Sequence, residues 1–119
     1  MATISKRTFV IRIGDDFSKL LQITSDGTTP IDLTGYSFKM QIKKCRSDTT
    51  AIATLTSPGD IDISDAANGN IIIKIDHSVT ETYQEQNAVY DLQWTTDSDI
   101  ITTILEGNVE ISQTVTEND

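Results

Sequence analysis

Residues 87–96 read NAVYDLQWTT. Ala88, Tyr90, Leu92 and Trp94 fall on one side of a two-residue period, and Val89, Asp91, Gln93 and Thr95 on the other. That alternation describes a strand with one face in a core and one largely in water. Upstream, Tyr36, Phe38, Met40 and Ile42 repeat it, with Ser37, Lys39, Gln41 and Lys43 facing out. Ile71, Ile73 and Ile75 repeat it again after Asn68-Gly69-Asn70, a hairpin-type turn signal.

The rest of the chain fills in around these segments. Phe9, Ile11 and Ile13 begin the ordered part and end at the Gly14-Asp15-Asp16 turn. Phe17, Lys19, Leu21 and Ile23 form a second strand. Leu20 breaks its alternation, which implies cover on both faces or a bulge. Asp26-Gly27, Pro30 and Gly35 punctuate a long connection from which Ile31 and Leu33 dip into the core. Residues 45–50 are a polar loop, and residues 51–55 a short strand closed by Ser57-Pro58-Gly59-Asp60. Ile61 and Ile63 make a brief extended piece. Residues 78–86 are the one helix candidate, a single turn that Thr80 or Thr82 would cap. After a turn at Asp97-Ser98-Asp99, Ile101, Thr103 and Leu105 form one strand. Gly107-Asn108 turns the chain, and Val109, Ile111 and Val115 form the last strand before a polar, frayed tail. Short strands with turn chemistry between them predict an all-β protein, a sandwich or small barrel.

Composition narrows the function classes. A chain of 119 residues is one domain by size, residues 1–119, with an ordered core over residues 8–116. A compact fold of that length has a radius of gyration of about 13–14 Å. Eighteen acids against nine bases give a net charge of −9, which opposes nucleic acid. Lys43, Lys44 and Arg46 are read as a solvated strand end that discourages edge pairing. The start MATISKRTF lacks the apolar core of a signal peptide, and no apolar run is long enough for a membrane span. Cys45 is the only cysteine, so there is no internal disulfide.

Few residues suggest chemistry. Acidic pairs stand at Asp15-Asp16, at Asp60 with Asp62, and at Asp97 with Asp99; they are read as solvated turn residues. Asp62, Asp65 and Asn68 share one loop and form the calcium candidate, without the EF-hand offsets. His77 is the only histidine, too few for a zinc site, and is read as a surface or strand-end residue. No nucleophile elbow, phosphate loop or dinucleotide fingerprint occurs, so the expectation is no enzyme, no catalytic residue, no metal and no cofactor. The polar loops at residues 45–50 and 97–99 would suffice for binding, though nothing marks them as a site.

Two aromatic residues bear on the fold. An immunoglobulin-type sandwich often carries a tyrosine corner, a Tyr two positions before the second disulfide cysteine whose hydroxyl bonds back to the preceding loop. Tyr90 has that spacing, with Leu92 in the cysteine's place; its other reading is a plain core aromatic. Trp94 is read as core rather than contact surface.

Several segments together carry a resemblance: GDDF (residues 14–17), DGTTPIDLTGYSFKMQIKK (26–44), SPGDIDISDAANGNIIIKI (57–75), TETYQ (80–84), AVYDLQW (88–94) and ILEGNVEISQTVT (104–116). Their order and spacing resemble small immunoglobulin-like proteins of tailed bacteriophages, nearest to the N-terminal domain of the baseplate upper protein. The resemblance implies an immunoglobulin-like antiparallel β-sandwich of about seven to nine strands. It implies a virion or tail-assembly protein, assembled in the host cytoplasm. Such a protein acts by packing against copies of itself and against other phage structural proteins. The attachment and trimerisation roles of longer members are not carried over. The alternative is a binding module for a host-surface glycan, and a third reading is an inhibitor acting through its acidic surface.

Overall fold

The computed structural model describes residues 5–25 and 28–113. The Asp26-Gly27 turn, Val115 and the polar tail lie outside the described residues. The strands are β1 (Ser5–Lys6), β2 (Phe9–Ile13), β3 (Phe17–Gln22), β4 (Ser37–Lys43), β5 (Ala53–Thr56), β6 (Ile61–Asp62), β7 (Asn70–Ile75), β8 (Gln86–Thr95) and β9 (Ile101–Gln113). One short helix, α1 (His77–Thr80), joins β7 to β8, and a 3-10 turn, Ala66–Asn68, precedes β7.

The strands form two sheets. One runs β1-β9-β8-β4-β5 with β2 also on β9, and the other runs β3-β7-β6. This is the immunoglobulin arrangement of a G-F-C-C′ sheet facing a B-E-D sheet. The sandwich is not wholly antiparallel, as the resemblance implied. Both β1 and β2 run parallel to β9, so the first and last strands of the chain close one side together.

Alternation places the core as the sequence implies. Ala88, Tyr90, Leu92 and Trp94 are buried, as are Phe38, Met40 and Ile42 across the sheet. Ile71, Ile73 and Ile75 close the core from the other sheet. Each large apolar side chain so buried contributes about 1.5–3 kcal/mol. Phe9 links the layers: its ring stacks on Tyr90 at 4.7 Å and meets Phe17 of β3 at 5.9 Å. The radius of gyration, 14.7 Å, slightly exceeds that of a compact sphere-like chain, because the body is elongated, 43 × 30 × 23 Å.

Four expectations change. Leu20 lies on an edge strand of unbroken register and is 60% exposed, so neither a second layer nor a bulge is needed there. The β6–β7 connection is longer than a two-residue hairpin turn. It passes through the 3-10 turn and ends on Gly69, whose φ of 77° lies in the left-handed region that glycine adopts freely. Asp76, not Thr80 or Thr82, caps α1, accepting from the Ser78 N–H. Thr80 is instead fully buried, accepting from the Gly14 N–H at 3.1 Å and donating to the Asp15 carbonyl at 2.8 Å. It thereby pins α1 to the β2–β3 turn.

The largest change is β9. The two strands read around a Gly107-Asn108 turn are one thirteen-residue strand. Gly107 is there for close approach: a Cβ on it would lie 1.9 Å from the Arg7 carbonyl oxygen. Upstream, the β8 register slips between Leu92 and Gln93, so Ile104 is the extra residue of a bulge. Ile104 and Leu105 are both buried, Thr102 stands opposite Trp94, and Ile101 is left 65% exposed.

Candidate functional site

The loops at one end of the sandwich come together. In the β8–β9 hairpin, the Thr96 hydroxyl accepts from the N–H groups of Ser98 and Ile100 at 3.2 and 3.1 Å. The Thr96 N–H donates to the Ile100 carbonyl at 2.9 Å, and Asp99 takes a φ of 62°. The tip is thus tied by its own backbone. It presents Ile100, 59% exposed, next to Ile101. The β3–β4 connection lies alongside: a Cβ on Gly35 would sit 3.5 Å from Asp97 Cβ. Asp32 stiffens that connection by accepting from the Thr34 N–H and hydroxyl. These bonds hold its carboxyl below the usual carboxylate range. Trp94 is buried beneath this end, and Tyr36 packs edge-on against it with ring centroids 5.1 Å apart.

A second cluster sits where Thr80 joins α1 to the β2–β3 turn. His77 Nδ1 lies 3.0 Å from Asp16 Oδ1 and 3.8 Å from Asp76 Oδ1. The hydrogen bond to Asp16 raises the imidazole pKa first, with the charges of Asp76 and Asp16 adding to it. One ligand atom from each of Asp16, Asp76 and His77 fits within 4.8 Å, a spacing that suits a divalent cation. All three residues are exposed, and one carboxylate oxygen of each aspartate is already engaged. Asp16 Oδ1 accepts from the His77 N–H, and Asp76 Oδ2 from the Ser78 N–H and hydroxyl. The sequence suggested neither grouping, because its members are sixty residues apart.

The calcium candidate is not assembled as a ligand set. Asp65 accepts from the side-chain amides of Asn68 and Asn70, so Asn68 turns a donor towards the carboxylate. Asp62 accepts from the Ser64 N–H at 2.8 Å and pairs with Lys74 at 3.6 Å. Cys45 is exposed and its Sγ donates to Asp48 Oδ1 at 3.1 Å; Arg46 pairs with Glu106 across the sheet at 3.5 Å.

Tyr90 is a core residue whose hydroxyl donates to the Arg7 carbonyl at 2.9 Å. Arg7 lies between β1 and β2, not in the loop before β8, so the tyrosine-corner reading is corrected: this phenol ties the first strands to the sheet. Burial pushes its pKa up to about 12.

No protein-family model and no curated protein matched the chain. Among solved structures, that of murine CRIg aligns over 90% of this chain and 92% of its own, at 15% identity and a TM-score of 0.40.

Proposed function

We propose that this protein is a non-enzymatic structural or assembly module of a tailed-phage particle that acts by packing against other proteins. The observation that carries the protein-contact part is the β8–β9 tip. It holds two adjacent isoleucines in solvent on a loop fixed by its own hydrogen bonds. Exposed apolar side chains on a rigid support suit a protein interface, whose centre is apolar and loses little entropy on docking. A glycan module would instead offer an open aromatic face, and here Trp94 is buried with Tyr36 packed against it. The virion assignment rests on the order and spacing of the sequence segments that resemble phage sandwich proteins. Its partners are then other phage structural proteins and further copies of itself.

The test is quantitative mass spectrometry of gradient-purified particles from the phage that encodes the chain. Wild type should appear at a fixed copy number, and a folded Ile100→Ser/Ile101→Ser variant should be depleted from particles. Absence of wild type from clean particles would sink the virion assignment. Undiminished incorporation of the variant would reject the tip as the contact.

A further inference from the structure

β5 ends its sheet and β6 ends the facing one, so both edges are free on the same side of the sandwich among the described residues. A cleft of about 300 Å³ opens there, lined by Ile52, Leu55, Ile75, Val79 and Tyr83. Among the described residues, the Tyr83 hydroxyl is buried in this region with no hydrogen-bond partner. An unpartnered buried hydroxyl is costly, so this wall of the cleft is held at the expense of stability.

The β5 edge is chemically open. The Ser57 N–H donates to the Phe38 carbonyl at 3.0 Å, and the register Lys39↔Thr56, Met40↔Leu55 continues that ladder. Alternation then turns the N–H and C=O groups of Thr54 and Thr56 away from β4. Edge strands are commonly blunted by lysine, proline or a charge. The free edge of β3 carries Lys19 and that of β6 carries Asp62, whereas β5 reads Ala-Thr-Leu-Thr. At the cleft, Lys74 is matched by Asp62, which leaves the carboxylates of Asp60 and of Asp76, the latter 3.8 Å from the His77 ring, to set the sign of the charge.

We propose that the free edge of β5 takes up an extended segment of a partner protein as an added strand. An apolar side chain of that segment enters the cleft beside the Tyr83 ring, and basic side chains face Asp60 and Asp76. A second copy of this chain is a poorer occupant, since it would bring net charge −9 to an acidic rim. Four residues of β5 span about 13 Å, so the ladder alone is short and the cleft must supply part of the affinity. The proposal deepens the protein-packing reading and is independent of the virion assignment and of the isoleucine tip.

The test is an NMR titration of the isotope-labelled full chain with a blocked heptapeptide of alternating lysine and valine, beside an aspartate–valine counterpart. The lysine peptide should shift the Thr54 and Thr56 amides, slow their hydrogen exchange, and bind at least about tenfold tighter than the aspartate peptide, a difference of 1.4 kcal/mol. Thr54→Pro should abolish binding while melting close to wild type, because proline is tolerated where an edge N–H faces solvent. The proposal is overturned by no binding at millimolar peptide, by shifts that spare Thr54 and Thr56, by equal binding of both peptides, or by undiminished binding to a folded Thr54→Pro. Edge-mediated dimerisation of the free protein in ultracentrifugation would assign the edge to a second copy and also overturn it. Failure here leaves the particle measurement untouched, and absence from particles leaves this titration untouched.

Discussion

Two tyrosines mark two sides of the sandwich. Tyr90 stacks on Phe9 and donates its hydroxyl to the Arg7 carbonyl, where the first strands run parallel to β9. Tyr83 lines the cleft between the free edges of β5 and β6, and its buried hydroxyl has no partner among the described residues. Burial raises the pKa of both phenols, but only one has found an acceptor. The first side is sealed by the chain's own backbone. The second has the same materials, an apolar wall and a phenol, without the strand that would complete it. A satisfied buried polar group fixes a structure, whereas an unsatisfied one lowers its stability.

Breaking the sealed side should have the largest effect. Gly107→Ala puts a methyl group on the Arg7 carbonyl, so the β1–β2 connection must lift away from β9. Thermal melting should show a loss at or above about 3 kcal/mol, the scale of severe core disruption. A melt close to wild type would mean that the connection moves freely. Tyr90→Ala removes the stacked ring and the tie together and should cost about 3–5 kcal/mol in chemical denaturation. A smaller loss would place Tyr90 outside the core.

The smallest effect lies at His77, which sits beside Asp76 at the rim of the open side. Its folded pKa is raised by Asp16 and Asp76, so its contribution is fully present below the unfolded value of 6.5 and is lost as pH rises through the folded value. The melting temperature should therefore drift down slightly from about pH 6 to pH 8, and His77→Ala should flatten that drift. The lowered carboxyl groups of Asp32, Asp62, Asp65 and Asp76 act in a separate window, losing stability as pH falls through and below 3.8. An unchanged drift in the variant would assign it to another group.

Residues that keep a strict two-residue period were legible in the sequence. The buried faces of β4, β7 and β8 follow directly from it, and through them the all-β sandwich. What failed was what a period cannot express. Gly107 carries the composition of a turn but serves the approach of the β1–β2 connection, about a hundred residues away in sequence. The neighbouring pair Ile104 and Leu105 was the available sign of a bulge; reading it would have turned Ile101 outward and exposed the β8–β9 tip. Tyr83 gave no signal, since a phenol without an acceptor differs from a satisfied one only in three dimensions. The His77 cluster was equally hidden, because Asp16 reaches it from another strand connection.

The two hydroxyls can be removed one at a time. Tyr90→Phe deletes a hydrogen bond and should lower stability by about 0.5–1.5 kcal/mol, while Tyr83→Phe deletes an unsatisfied buried hydroxyl whose burial costs about 1–3 kcal/mol and should raise it. Parallel denaturation of the two variants against wild type is the most direct measurement. Shifts of opposite sign are what a sealed side and an open side predict. A Tyr83→Phe variant less stable than wild type would show that its hydroxyl already has a partner, and the contrast between the two sides would fall.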